Sequence, residues 1–293
     1  LGASAIFASN TSTLPITGLA EASERPANFI GLHFFSPVDK MPLVEIIVGE
    51  QTSQETLARS MDVVKLIGKT PIVVNDSRGF YTSRVFATYV QEGIAMLSEG
   101  VIPSAIERAG RMAGMPVGPL ALADEVSIEL MYKIARQTRE DLGEDHVEHP
   151  AEQVATLMVE DLERLGKKSS AGFYTYPDDG DKHLWEGLEE HFPVADEQPD
   201  FEHVQRRLLH IQGVEAARCL QEEVVTRPQD ADVGSVLGWG FAPQHGGVLS
   251  YVQTVGLRAF VQQCDELAEA HGERFEPPQI LREMAEKDET FYS

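Results

Sequence analysis

Basic residues are scarce in this sequence: 24 Lys and Arg stand against 47 Asp and Glu, a formal net charge of -23 over 293 residues. The resulting field repels nucleic acid and anionic membrane surfaces, so any anionic ligand has to be held by locally clustered bases. Cysteine is also scarce. Cys219 and Cys264 sit in helix-like stretches with no C-x-x-C spacing, which argues against a disulfide framework or a zinc site and for a reducing cytoplasm. No apolar run approaches the length of a membrane span, and Leu1 to Phe7 lack the basic start of a signal peptide. Two motifs are missing as well. Without G-x-G-x-x-G there is no glycine turn to cradle a pyrophosphate, and without G-x-S-x-G there is no hydrolase elbow around Ser12.

What is present suffices for real cores, since 42% of the residues are hydrophobic, and the length suggests two or three structural units. Short strand signals (Ala5 to Ser9, Phe29 to Phe35, Leu43 to Val48, Ile72 to Val74) enclose a helix over 54–66 with Ser53 as its N-cap. That is the rhythm of an α/β sheet, and it opens on a strand with no lead-in, as if inside a domain. Beyond Gly79 the strand signals stop. Amphipathic segments follow at Ser83 to Glu99, Pro103 to Met112, Ser127 to Asp141 and Glu152 to Arg164. The acidic, turn-rich run from Pro177 to Asp181 reads as a linker.

The helical part repeats itself. Arg84, Glu92 and Glu99 recur as Arg207, Glu215 and Glu222, then Gly114 as Gly240 and Val126 as Val255, at offsets of 123 to 129 residues. One helical module has been duplicated on this reading. The expected architecture is an α/β remnant, the C-terminal part of a Rossmann-type domain, over 1–78, followed by two tandem duplicated helical domains over 79–180 and 181–293.

Chemistry concentrates near the first strands. Ser12 follows one strand, His33 nears the end of the next and Glu45 lies inside a third, and the carboxyl ends of strands in open α/β sheets face the ligand crevice. A carboxylate that holds a histidine fixes its tautomer and favours the imidazolium formed on proton abstraction. The same spacing also fits a His33 that caps a strand end and a Glu45 that faces solvent on an edge strand. Gly238-Trp239-Gly240 has no preceding strand and reads as close helix packing, and His146 and His149 read as loop residues, so no metal is assigned.

The strings Ser9-Asn10-Thr11-Ser12, His33-Phe34-Phe35-Ser36-Pro37, Pro42-Leu43-Val44-Glu45-Ile46-Ile47, Gly68-Lys69-Thr70-Pro71 and Asp76-Ser77-Arg78-Gly79-Phe80 resemble the 3-hydroxyacyl-CoA dehydrogenase family. So do Gly114 to Pro119, Gly166-Lys167-Lys168 and Gly172-Phe173-Tyr174, and the duplicated helices resemble multifunctional fatty-acid oxidation alpha subunits. The resemblance implies NAD-dependent oxidation of (3S)-3-hydroxyacyl-CoA to 3-ketoacyl-CoA in β-oxidation. It makes His33 the base, Glu45 its orienter, and Ser12 and Ser83 substrate-side donors, with Asn10, Ser12, Ser36 and Lys168 toward NAD. Ser36 and Ser83 stand where the family often has Asn, a one-donor hydroxyl for an amide. The implied partners are an acyl-CoA substrate, a second copy bound through the helical domains and a thiolase subunit. The missing glycine turn leads to the expectation of a fragment inactive by itself, and the alternative is a non-catalytic dimerisation and substrate-side scaffold module.

Overall fold

The computed structural model describes residues 2, 4–12 and 14–292. In chain order the elements are β1 (Phe7–Ser9), α1 (Ile16–Ala20), β2 (Phe29–Phe34), β3 (Leu43–Val48), α2 (Gln54–Leu66), β4 (Thr70–Asn75), α3 (Thr82–Ser98), α4 (Pro103–Met112), α5 (Pro119–Val126), α6 (Ile128–Leu142) and α7 (Pro150–Thr156). They continue with β5 (Tyr174–Thr175), β6 (His183–Leu184), α8 (Leu188–His191), α9 (Phe201–Gln221), α10 (Pro228–Trp239), α11 (Val248–Val255), α12 (Leu257–His271) and α13 (Gln279–Lys287). Packing divides the chain into two compact units, one of residues 1–87 with 210–293 and one of residues 88–209.

The first unit is built on a mixed sheet of order β1-β2-β3-β4, in which β1–β2 and β3–β4 are parallel and β2–β3 antiparallel. Strand β3 is central. Its run Leu43, Val44, Ile46 and Ile47 is fully buried, as a strand covered on both faces must be. Val44 and Ile46 pack with Ile30 and with Val64, Leu57 and Met61 of α2, which begins at the expected cap: Ser53 Oγ accepts the Thr56 N–H at 3.2 Å. Helix α10 covers the opposite face. A Cβ on Gly234 would lie 2.8 Å from Ile72 and one on Gly238 3.0 Å from Leu43, so glycines four apart let α10 approach the sheet closely.

Two loops are tied down by polar side chains. Asp76, just after β4, accepts the N–H groups of Ile16 and Thr17 at 2.9 and 2.7 Å and so caps α1. Lys69 donates to the Val38 and Met41 carbonyls at 2.5 and 2.7 Å, holding the loop that follows the cis Ser36–Pro37 bond.

The second unit is helical apart from the β5–β6 hairpin. The acidic run 177–181, read above as a linker, is the turn of that hairpin. Two other expectations differ. Between Gly114 and the segment expected from Ser127, and between Gly240 and Val255, lie two eight-residue helices, α5 and α11, that the sequence pattern did not separate out, and the helices after them start at Ile128 and Leu257. The stretch 152–164 is not one helix: α7 ends at Thr156 and passes into a wider turn, and Glu163 adopts a left-handed backbone. The chain leaves the helix here, and the Arg164 guanidinium donates to the Gly172 and Tyr174 carbonyls at 2.7 and 3.0 Å. His149 caps α7 by accepting the Ala151 N–H, and His146 pairs with Glu152 at 3.0 Å, so both serve the local fold.

Candidate active site

The antiparallel register of β2 and β3 makes His33 and Glu45 direct cross-strand partners. Residues on opposed strands have Cβ atoms close enough for side chains to meet on one face, and here His33 Nδ1 lies 2.9 Å from Glu45 Oε2. Glu45 is fully buried and His33 is 7% exposed. The solvent-facing edge arrangement therefore does not occur.

An ionised glutamate in an apolar strand is costly unless its oxygens are satisfied. Glu45 receives four hydrogen bonds. Oε1 accepts the backbone N–H groups of Tyr81 and Thr82, both at 3.0 Å, and Oε2 accepts the Thr82 hydroxyl at 2.6 Å besides His33. Glu45 thus also occupies the N-terminus of α3, where a negative charge is favoured by the helix dipole. With every other group around it donating, Glu45 acts as a pure acceptor. His33 Nδ1 then carries the hydrogen, and Nε2 presents a lone pair.

The chain reaches this geometry through two consecutive left-handed residues, Gly79 at φ 75° and Phe80 at φ 52°. For Phe80 that conformation costs about 1–2 kcal/mol, and it is stabilised by complete burial of the ring. Phe35 and Phe80, with ring centroids 4.5 and 6.1 Å from that of His33, wall the imidazole. Tyr81, also fully buried, donates its hydroxyl to the Ala231 carbonyl at 2.9 Å, and burial holds its phenol well above the usual range. Cys219, whose charge would couple to Glu45, is likewise pushed up by burial. Both stay neutral beside the dyad.

Asn10, one residue beyond β1, accepts the Phe34 N–H at 2.8 Å, which fixes its loop beside the residue after His33. Ser12 and Ser36 are exposed on the segments that leave β1 and β2. Ser83 is half-buried in the first turn of α3, adjacent to Thr82. Lys168 lies in the second unit on the surface, and its neighbour Lys167 pairs with Glu125 at 2.7 Å. A cavity of about 550 Å³ along β1, lined by Phe7, Ala8, Leu19 and Phe29 among others, includes neither His33 nor Glu45. Among the described residues no cluster of His, Cys, Asp or Glu could hold a metal, and no helix is long and apolar enough to cross a membrane.

Thr82 was not legible as a site residue in the sequence. Its bond joins positions 37 residues apart and depends on where α3 begins relative to β3.

The fold and the site together define an α/β protein with a carboxylate-held histidine placed for proton transfer. Within it, residues 1–77 match the 3-hydroxyacyl-CoA dehydrogenase NAD binding domain and residues 79–176 the C-terminal domain of the same family, and the chain belongs to the 3-hydroxyacyl-CoA dehydrogenase family. It is 41% identical over 296 residues to a fatty acid oxidation complex subunit alpha of Shewanella halifaxensis, a match that covers 100% of this chain and 41% of that protein. Among solved structures, (S)-3-hydroxybutyryl-CoA dehydrogenase from Ralstonia eutropha is 35% identical with a TM-score of 0.55, covering 60% of this chain and 62% of that one. Escherichia coli 3-hydroxybutyryl-CoA dehydrogenase, at 23% identity, shares the fold with a TM-score of 0.76 over 96% of this chain and 75% of its own.

Proposed function

We propose that the chain carries the proton-transfer side of an NAD-dependent oxidation of (3S)-3-hydroxyacyl-CoA to 3-ketoacyl-CoA. The observation that carries this reading is the pairing of His33 Nδ1 with a Glu45 carboxylate already filled by three other donors. His33 Nε2 takes the proton of the substrate 3-hydroxyl, and Glu45 stabilises the imidazolium that results. Phe35 and Phe80 exclude water from the ring, which strengthens that interaction. Ser12 and Ser83 donate to the substrate oxygen in this scheme.

The groups at the ends of β1 and β2 suit the nicotinamide side of NAD: the Asn10 amide and the Ser12 and Ser36 hydroxyls are neutral hydrogen-bonding groups with no carboxylate among them. When bound, NAD supplies the hydride acceptor.

We further propose that the helical module is duplicated. Supporting this, Arg84 bonds Glu215 and Glu222, at 2.9 and 2.6 Å, while Arg207 bonds Glu92 and Glu99, at 2.7 and 2.5 Å, a reciprocal exchange between equivalent positions. Glu107 of α4 accepts the first N–H groups of α5 and the Tyr174 hydroxyl. Asp232 of α10 does the same for α11 and the Tyr292 hydroxyl. Ser127 and Gly256, the residues before α6 and α12, share the unusual φ of 90° and 89°. Self-association through these helices and a thiolase that consumes the 3-keto product complete the reading.

The test is NADH absorbance with the intact protein and (3S)- and (3R)-3-hydroxyacyl-CoA. Turnover confined to the 3S substrate is expected. No turnover with either, while NAD binds, would overturn the assignment.

A further inference from the structure

We propose that Thr82 is a positioning residue for the His33 base, its hydroxyl fixing the Glu45 carboxylate that in turn fixes the imidazole; this rests on the dehydrogenase reading above. The four donors divide between the two carboxylate oxygens. Those on Oε1 are backbone N–H groups, which any residue but proline at 81 and 82 would supply. Oε2, the oxygen that meets His33, has one further partner, the Thr82 hydroxyl at 2.6 Å. That is the only one of the three non-histidine bonds that depends on a side chain at this position.

Burial removes the alternatives. Thr82 is 1% exposed and Glu45 fully buried, so water does not stand in for a lost hydroxyl. The short separation is that of a hydroxyl donating to a charged oxygen, among the stronger hydrogen bonds available to a protein. Without it, Oε2 keeps one donor while Oε1 keeps two, and the carboxylate plane is free to tilt toward the helix end. The imidazole follows, since Phe35 and Phe80 offer it walls but no directed bond. Small displacements of this kind act on the chemical step more than on binding.

The experiment compares Thr82→Val, Thr82→Ser and Thr82→Ala in the intact protein with NAD. Valine matches threonine in shape and lacks only the hydroxyl. Thr82→Val and Thr82→Ala should lower kcat roughly tenfold, about what one hydrogen bond to a charged group supports, with KM and NAD affinity held within about twofold. Thr82→Ser should restore turnover. Independently of activity, the His33 Nδ1–H resonance in 15N-histidine-labelled protein should move in Thr82→Val and return in Thr82→Ser. An unmoved resonance, or a serine variant as impaired as valine, overturns the proposal. A wild-type protein that gives no turnover, but whose resonance still moves in Thr82→Val, sustains the hold of Thr82 on the dyad and counts against the dehydrogenase reading alone.

Discussion

Arg207 and Glu92 meet at almost complete burial, 1% and 0% exposed, with Arg207 Nε donating to Glu92 Oε1 at 2.7 Å. The half-exposed Glu99 takes the rest of the guanidinium. Removing one partner of such a pair strands the other charge in an apolar interior, whereas replacing both can be neutral. Arg207→Ala should therefore destabilise by about 3–5 kcal/mol, and Arg207→Met with Glu92→Leu should recover most of it. Urea titration of both variants decides: a single variant near wild type would mean that water reaches Glu92.

Asp124 gives a pH signature. Its carboxylate accepts the Phe173 and Tyr174 N–H groups at 2.8 Å, yet burial outweighs these bonds and raises its pKa from 3.8 to about 6. The folded state thus holds the proton more tightly than the unfolded chain. The stabilisation is fully present below about pH 3.8 and is lost as pH rises through about 6. The stability of wild type relative to Asp124→Asn should fall by up to about 3 kcal/mol between pH 4 and 7, at 1.36 kcal/mol per pH unit. A difference flat across that range contradicts it.

Ser83 supplies a third test. If its hydroxyl donates to the developing charge on the substrate oxygen, Ser83→Ala should lower kcat by roughly ten- to a thousandfold while the unfolding midpoint stays put. Unchanged turnover would return Ser83 to an ordinary first-turn helix residue.

The sequence carried the strands of the first unit and the cap at Ser53 because their signals are local: an apolar run, or a serine three residues before the N–H it serves. Strand placement left a paired and an unpaired His33 and Glu45 equally open, and only motif resemblance favoured the pair, since spacing cannot say that β2 and β3 are antiparallel or that residue 33 lies opposite 45. Helices α5 and α11 escaped because they are only eight residues long and open at Gly118-Pro119 and directly after Gly246-Gly247, signals that read as turns. The part played by Thr82 and the capping of α1 by Asp76 both depend on contacts dozens of residues apart, which no local pattern encodes.

The central claim is that His33 and Glu45 act as one unit in proton removal, and a double-mutant cycle on kcat tests it most directly. His33→Gln should cost roughly 10²- to 10⁴-fold, the range of a lost general base, and Glu45→Gln should cost less. The double variant should be no slower than His33→Gln alone, because a positioning carboxylate has nothing left to position. Losses that multiply in the double variant would show that Glu45 acts independently of His33, and the dyad would have to be given up.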